Sequence, residues 1–310
     1  MGKKRQPWLD VVKGIAIILV VIGHVGGIYG GQDAAPSFRI LHQFIYSFHM
    51  PLFLFVSGYL FRSSLARENV KETALSKFIA YGIPYMFFSV IYWFMKTIGA
   101  SFVNHAVDFR DLLLILLFPL SFMWYLYALL LMAELSLLLG KTRKSAILIT
   151  AVVCRIIWEI LSSVDSFVGS RWNDLVITDF AKNYIWFALG LRYGENVVEI
   201  LQKSKTPVKW LIPGCGYVLL ALAAAIGLTK IPFMRFLLGL IGIASTVTAG
   251  LLIARNPFLE YMGRNTMQIY LIHGTVISAL GILSAKLKLP TMGGICRLFT
   301  RQLSQLRFHC

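Results

Sequence analysis

The sequence predicts an all-α protein: a polytopic membrane helix bundle of about nine spans with the N-terminus in the cytoplasm. Three observations lead there. First, 57% of the 310 residues are hydrophobic and only 14% are charged, against about 45–50% and about 25% in ordinary soluble domains. Such a chain lacks the polar surface to cover itself in water. Second, its apolar runs are helix-long, and a bilayer core about 30 Å thick takes roughly 20 apolar residues per spanning helix. Third, the cationic residues fall in the gaps between those runs and alternate in density from one gap to the next.

The spans are placed at about 11–31, 44–61, 78–98, 120–139, 145–163, 178–194, 210–228, 232–254 and 265–285. The sixth is short and carries Asp179, Lys182 and Asn183; residues 112–118, before Pro119, read as a short interfacial helix. One set of gaps holds Lys3, Lys4, Arg5, Arg62, Arg67, Lys71, Lys77, Lys141, Arg143, Lys144, Arg192, Lys203, Lys205, Lys209, Arg255 and Arg264. The other holds Arg39, Lys96, Arg110, Arg171, Lys182, Lys230 and Arg235. Sixteen against seven puts the first set, and with it the N-terminus, in the cytoplasm.

The formal net charge of +16 would suggest nucleic acid on a soluble domain. Here topology explains it, and no nucleic-acid partner is expected. Cys154, Cys215, Cys296 and Cys310 form no CxxC pair and two lie within spans, which argues against a disulfide framework or a zinc site. No metal is expected. The first apolar run lacks a convincing cleavage site and is read as a span rather than a signal peptide. Residues 1–289 form the membrane domain; 290–310 are an atypical basic tail, read as truncated, altered or lying on the membrane surface.

Ionisable groups inside a bilayer cost at least a few kcal/mol, so each is a functional candidate by default. Lys13 and His24 are eleven residues apart, about three helical turns, so they share a face and stand roughly 16 Å apart along the axis. Asp10, three residues before Lys13, can pair with it. His49 enters the second span from the outer side at a depth similar to that of His24, and Pro51 follows it, favouring a kink. Ser57 and Arg62 close that span, Trp124, Tyr125 and Glu134 lie in the fourth, and Tyr270 and His273 in the ninth.

Each has a bland counterpart. Lys13 alone is a snorkelling cation, Asp10 a helix cap, and His24 an interhelical hydrogen-bonder. Trp124 and Tyr125 suit an aromatic belt, Arg62 a topogenic charge, and Glu134 a structural partner of Arg155. His42, His105 and His309 are assigned no role.

Four blocks in order carry a family likeness: WLDVVKGIAIILVVIGH (Trp8 to His24), FHMPLFLFVSGYLFR (Phe48 to Arg62), MWYLYALLL (Met123 to Leu131) and NTMQIYLIHG (Asn265 to Gly274). They resemble the membrane acyltransferase-3 family, and the Lys-containing DVVKGI is most similar to its fucose 4-O-acetylase branch. The likeness covers residues 8 to 280. It implies a ten-helix membrane enzyme moving an acyl group, often acetyl from acetyl-CoA, onto a carbohydrate hydroxyl; nine of the ten spans are recognisable here. The family's basic-residue-to-His pattern maps onto Lys13 and His24. Lys at the first position keeps the charge but loses the planar fork of the commoner Arg.

The residues suit that chemistry. A general base must take the hydroxyl proton, and His24 is the choice. A developing oxyanion needs a donor, for which His49 and Tyr125 are candidates. Lys13 and Arg62, on the cytoplasmic side, are expected to hold the phosphates of acyl-CoA, a donor substrate rather than a resident cofactor. Asp10, Ser57, Trp124, Glu134, Tyr270 and His273 are expected to support the site. The expected partners are acyl-CoA, a carbohydrate acceptor and the lipid bilayer, in a bacterial inner or plasma membrane. The competing class is a transporter or flippase using buried His, Lys and Glu as a proton relay, with an inactive relative of the family as the third reading. No internal repeat of broken helices supports the transporter.

Overall fold

In the computed structural model, residues 6–29, 36–98, 108–142, 144–164 and 174–286 are described, and no strand occurs among them. The helices are α1 (Pro7–Tyr29), α2 (Pro36–Leu65), α3 (Val70–Lys77), α4 (Ile83–Ile98), α5 (Phe109–Leu113), α6 (Trp124–Thr142), α7 (Lys144–Ser162), α8 (Val176–Lys203), α9 (Thr206–Ala225), α10 (Pro232–Ile253), α11 (Pro257–Arg264) and α12 (Thr266–Lys286). Helices cover most of the described residues of all nine expected spans. Seven helical stretches among the described residues are long and apolar enough to cross a membrane. The chain is therefore a multi-pass membrane helix bundle. The helix over the sixth expected span, α8, is long but charged, and the apolar part of α12, Thr266–Leu280, is shorter. The basic tail at 290–310 lies outside the described residues, as do Lys3, Lys4, Arg5, His105, Arg143, Arg171, Cys296, His309 and Cys310.

The helices sort into two compact units: residues 1–50 with 202–310, and residues 51–201. The boundaries fall within α2 at Pro51 and near the end of α8, after Leu201.

In the first unit, α1 opens with Pro7 and carries Asp10 in its first turn, both favoured there by the free amides of a helix start. It packs against α11, α12 and α10. The α1–α11 contact is set by two glycines. A Cβ on Gly14 would strike the carbonyl of Leu259, and one on Gly263 would strike the carbonyl of Asp10. The backbones touch directly, as small residues allow between membrane helices. The sequence reading left 255–264 as a charged gap; it holds α11 instead, started by the Asn256 side chain, which accepts from the Leu259 amide at 3.0 Å, with Pro257 next.

In the second unit, the C-terminal half of α2 meets α8 through the same device: a Cβ on Gly58 would overlap the Phe187 carbonyl, and one on Gly190 the Phe55 carbonyl. The third expected span starts eight residues early, at Val70, and a π turn over Phe78–Gly82 separates α3 from α4. Pro84 explains it, since its ring would clash with the carbonyl four residues back in a regular α-helix. The short helix expected at 112–118 lies at Phe109–Leu113. A capping box between Asp108 and Asp111 fixes its start, and turns lead from it to Pro119.

Candidate functional site

The structure places six of the sequence-predicted site residues in the first unit (Asp10, Lys13, His24, His49, Tyr270 and His273). The other five (Ser57, Arg62, Trp124, Tyr125 and Glu134) lie in the second.

In the first unit, Lys13 pairs with Asp10 at 3.0 Å, as its spacing predicts. The Asp10 side chain is 8% exposed and that of Lys13 24%, so the lysine keeps part of its ammonium accessible while its charge is balanced on one side. Three turns along α1, the His24 ring lies 5.0 Å from that of His273 on α12 and 6.5 Å from that of Tyr46 on α2. Tyr46 in turn stacks on His42 at 4.0 Å and meets His49 edge-on at 4.7 Å. His24 interacts electrostatically with His273, His49 and His42. Three helices thus gather three imidazoles and a phenol around that of His24. Among the described residues, no three His, Cys, Asp or Glu side chains form a group able to hold a metal ion.

Two of these imidazoles have a fixed orientation. His49, 3% exposed, has Nδ1 at 2.8 Å from the Ile45 carbonyl, and His273 has Nδ1 at 2.6 Å from the Tyr270 carbonyl. A carbonyl only accepts, so each Nδ1 carries the proton and donates it. In the neutral ring the lone pair then sits on Nε2. Tyr270 accordingly supports His273 through its backbone, with its ring 5.8 Å from the imidazole.

In the second unit, the Ser57 and Tyr125 hydroxyls are 3.3 Å apart, and Phe53 and Trp124 pack edge-on to the Tyr125 ring. Arg62 forms an ion pair with Glu195 of α8, with both side chains well exposed. Glu134 interacts electrostatically with Lys77, whose ammonium lies 5.5 Å above the Phe61 ring. The expected Glu134–Arg155 pair is not the one formed: Arg155 pairs with Glu159 one turn on along its own helix, and its guanidinium also donates to the Lys182 carbonyl. An i, i+4 partner needs no second helix to be positioned.

Sequence reasoning missed Tyr46 and gave His42 no role. The signal was present, because His42, Tyr46 and His49 sit at i, i+4 and i+7 of α2 and therefore on one face.

The chain is a multi-pass helix bundle with a Lys–Asp pair at one end of α1 and a histidine cluster at the other, and comparison with known proteins supplies its class, the membrane acyltransferases. The family model described as "Acyltransferase domain" (acyltransferase-3) matches residues 6–300, so the chain belongs to that family. It is similar to the "Nodulation protein NolL" of Mesorhizobium japonicum, 36% identical over 98 residues, which cover 30% of this chain and 25% of that protein. The protein of the same name from Sinorhizobium fredii is 36% identical over 95 residues, 29% of this chain and 25% of its own length. The matched stretch thus spans about a quarter of each of these curated relatives. No solved structure matches.

Proposed function

We propose that this protein transfers an acyl group, most simply acetyl, from cytoplasmic acyl-CoA to a hydroxyl of a cell-surface or exported carbohydrate, in a bacterial cell membrane. The observation that carries the reading is the histidine cluster built around His24 on the helix that also bears the Lys13–Asp10 pair.

His24 acts as the general base. It takes the proton of the acceptor hydroxyl as that oxygen attacks the thioester carbonyl; the C–S bond breaks, the ester forms, and the proton leaves with the CoA thiolate. General-base assistance of this kind contributes about 10²–10⁴-fold. Lys13 binds a CoA phosphate, held in place by Asp10. Arg62 is assigned a phosphate contact on the same grounds of charge and side, although its pairing with Glu195 means that a phosphate must compete with a carboxylate for it.

The oxyanion role is narrowed by the hydrogen bonds. Neutral His49 spends its one N–H on Ile45, so it offers a lone pair to the site rather than a donor. Tyr46, whose ring lies 6.5 Å from that of His24 and 4.7 Å from that of His49, brings an O–H to the cluster and is the better donor in the first unit. Tyr125 is the donor candidate of the second, with Ser57 orienting its hydroxyl.

Mass spectrometry of surface glycans from cells with and without the protein tests the reading. The expected result is an added mass of one acyl group that depends on the protein and disappears in His24→Ala at unchanged protein level. Identical glycan masses with and without the protein would overturn it.

A further inference from the structure

The second unit contains a cleft of about 720 Å³ that the reaction scheme does not use. Its walls come from α5, the segment between α5 and α6, the first turn of α6, α7, and the start of α8 with the residues just before it; the polar and aromatic residues that matter are Asp111, Trp124, Trp158, Asp174, Asp179 and Lys182. The walls are tied together by backbone. The Val176 amide donates to the Leu117 carbonyl at 2.9 Å, the buried Tyr85 hydroxyl donates to the Ile115 carbonyl, and Arg155 reaches the Lys182 carbonyl at 3.2 Å.

We propose that this cleft is the carbohydrate-acceptor subsite and that it takes a neutral stretch of glycan. The inference rests on the acyltransferase reading above and adds where the acceptor is gripped. Four features support it. The volume falls within the range of about 300–1,000 Å³ typical of small-ligand sites, enough for more than one sugar ring. Two indoles, Trp124 and Trp158, line it; an indole gives a flat apolar surface with a polar edge, which fits the C–H face of a pyranose.

Three carboxylates, with Asp179 near both Lys182 and Asp174, offer charge-assisted acceptors for sugar hydroxyls. The lining carries three Asp against one Lys, and that lysine is already placed 5.6 Å over the Trp158 ring. A phosphate-bearing donor or a uronate-rich polymer is repelled by such a lining, so the cleft suits neither CoA nor an anionic glycan. The segments that form it, 111–124 and 174–182, adjoin gaps on the side opposite the cationic loops, the outer side by charge asymmetry, where surface glycans are found.

The test compares Trp158→Ala, Trp158→Phe, Asp179→Asn and His24→Ala with the unmodified full-length protein in its host, at matched membrane levels. Acyl content of surface glycans is read by mass spectrometry, and binding of acetyl-CoA and melting temperature are measured on the detergent-solubilised proteins. The proposal expects Trp158→Ala and Asp179→Asn to lose at least tenfold of glycan acylation with acetyl-CoA affinity and melting temperature unchanged, and Trp158→Phe to keep most of it. Wild-type acylation in Trp158→Ala and Asp179→Asn, with loss in His24→Ala, overturns the cleft and leaves the acyltransferase reading standing. Parallel loss of acetyl-CoA binding and melting temperature in Asp179→Asn and Trp158→Phe makes the role structural and also overturns it. Absence of any protein-dependent acylation removes the acyltransferase reading and this subsite with it.

Discussion

The first unit sets its histidines on helix faces and fixes them with backbone and aromatic contacts, apart from its Lys13–Asp10 and Arg264–Glu260 ion pairs. The second sets its titratable groups in ion pairs and around a cleft. His24, His42, His49 and His273 are drawn from α1, α2 and α12, and their orienting partners are main-chain carbonyls or an aromatic ring. In the second unit the corresponding partners are opposite charges: Arg62 with Glu195, Arg155 with Glu159, Lys77 near Glu134, Lys182 near Asp179. A neutral imidazole held by a carbonyl keeps a lone pair for proton transfer, whereas an ion pair neutralises its members and leaves hydrogen-bonding capacity at its edges. Accordingly, proton transfer is proposed for residues of the first unit and acceptor recognition for residues of the second.

The comparison can be broken in several places. The largest effect is expected at the cluster. His24→Ala should lower acyl transfer about 10²–10⁴-fold, the range for a removed general base, while acetyl-CoA binding by the solubilised protein stays intact. If His24→Ala instead lost donor affinity with little change in turnover, the helix would serve recognition and the contrast would fail. Next comes the backbone contact that seats α1. Gly14→Leu forces a side chain into the Leu259 carbonyl and should cost about 1–3 kcal/mol or more by overpacking, seen as a lowered melting temperature.

A smaller change is expected from Tyr125→Phe, which removes the hydroxyl facing Ser57. It should cost about 1 kcal/mol of stability; a much larger drop in turnover at normal stability would show that Tyr125 serves the reaction directly. The smallest belongs to the Arg62–Glu195 pair. With side chains 40% and 55% exposed, a double-mutant cycle of Arg62→Ala and Glu195→Ala should give a coupling of about 0–1 kcal/mol. A weaker affinity for acetyl-CoA in Arg62→Ala, by a margin that narrows as added salt weakens binding to the unmodified protein, would place a phosphate there.

Much of this was legible in the sequence, and the reasons for the rest are physical. The spans were readable because hydropathy acts over a whole helix, and the Asp10–Lys13 pair because i, i+3 neighbours need nothing else. The helices at Val70–Lys77 and Pro257–Arg264 were lost among charged residues, although Asn256–Pro257 is a helix-start signal. The sequence placed His24 and His49 at similar depth and no more. The structure adds His273 beside His24 and Tyr46 between the rings, contacts that depend on helix rotation, which hydropathy does not encode. The cleft was out of reach for a different reason. Its carboxylates and indoles come from segments up to seventy residues apart, and only packing makes them neighbours.

The most direct measurement is acyl transfer by membranes that contain His24→Ala or the unmodified protein at equal abundance. Isotope-labelled acetyl-CoA is the donor, and label incorporated into carbohydrate and CoA thiol released are read together. The account predicts that both signals fall together by at least a hundredfold in the variant, with acetyl-CoA still bound. Full incorporation by the His24→Ala membranes would contradict it.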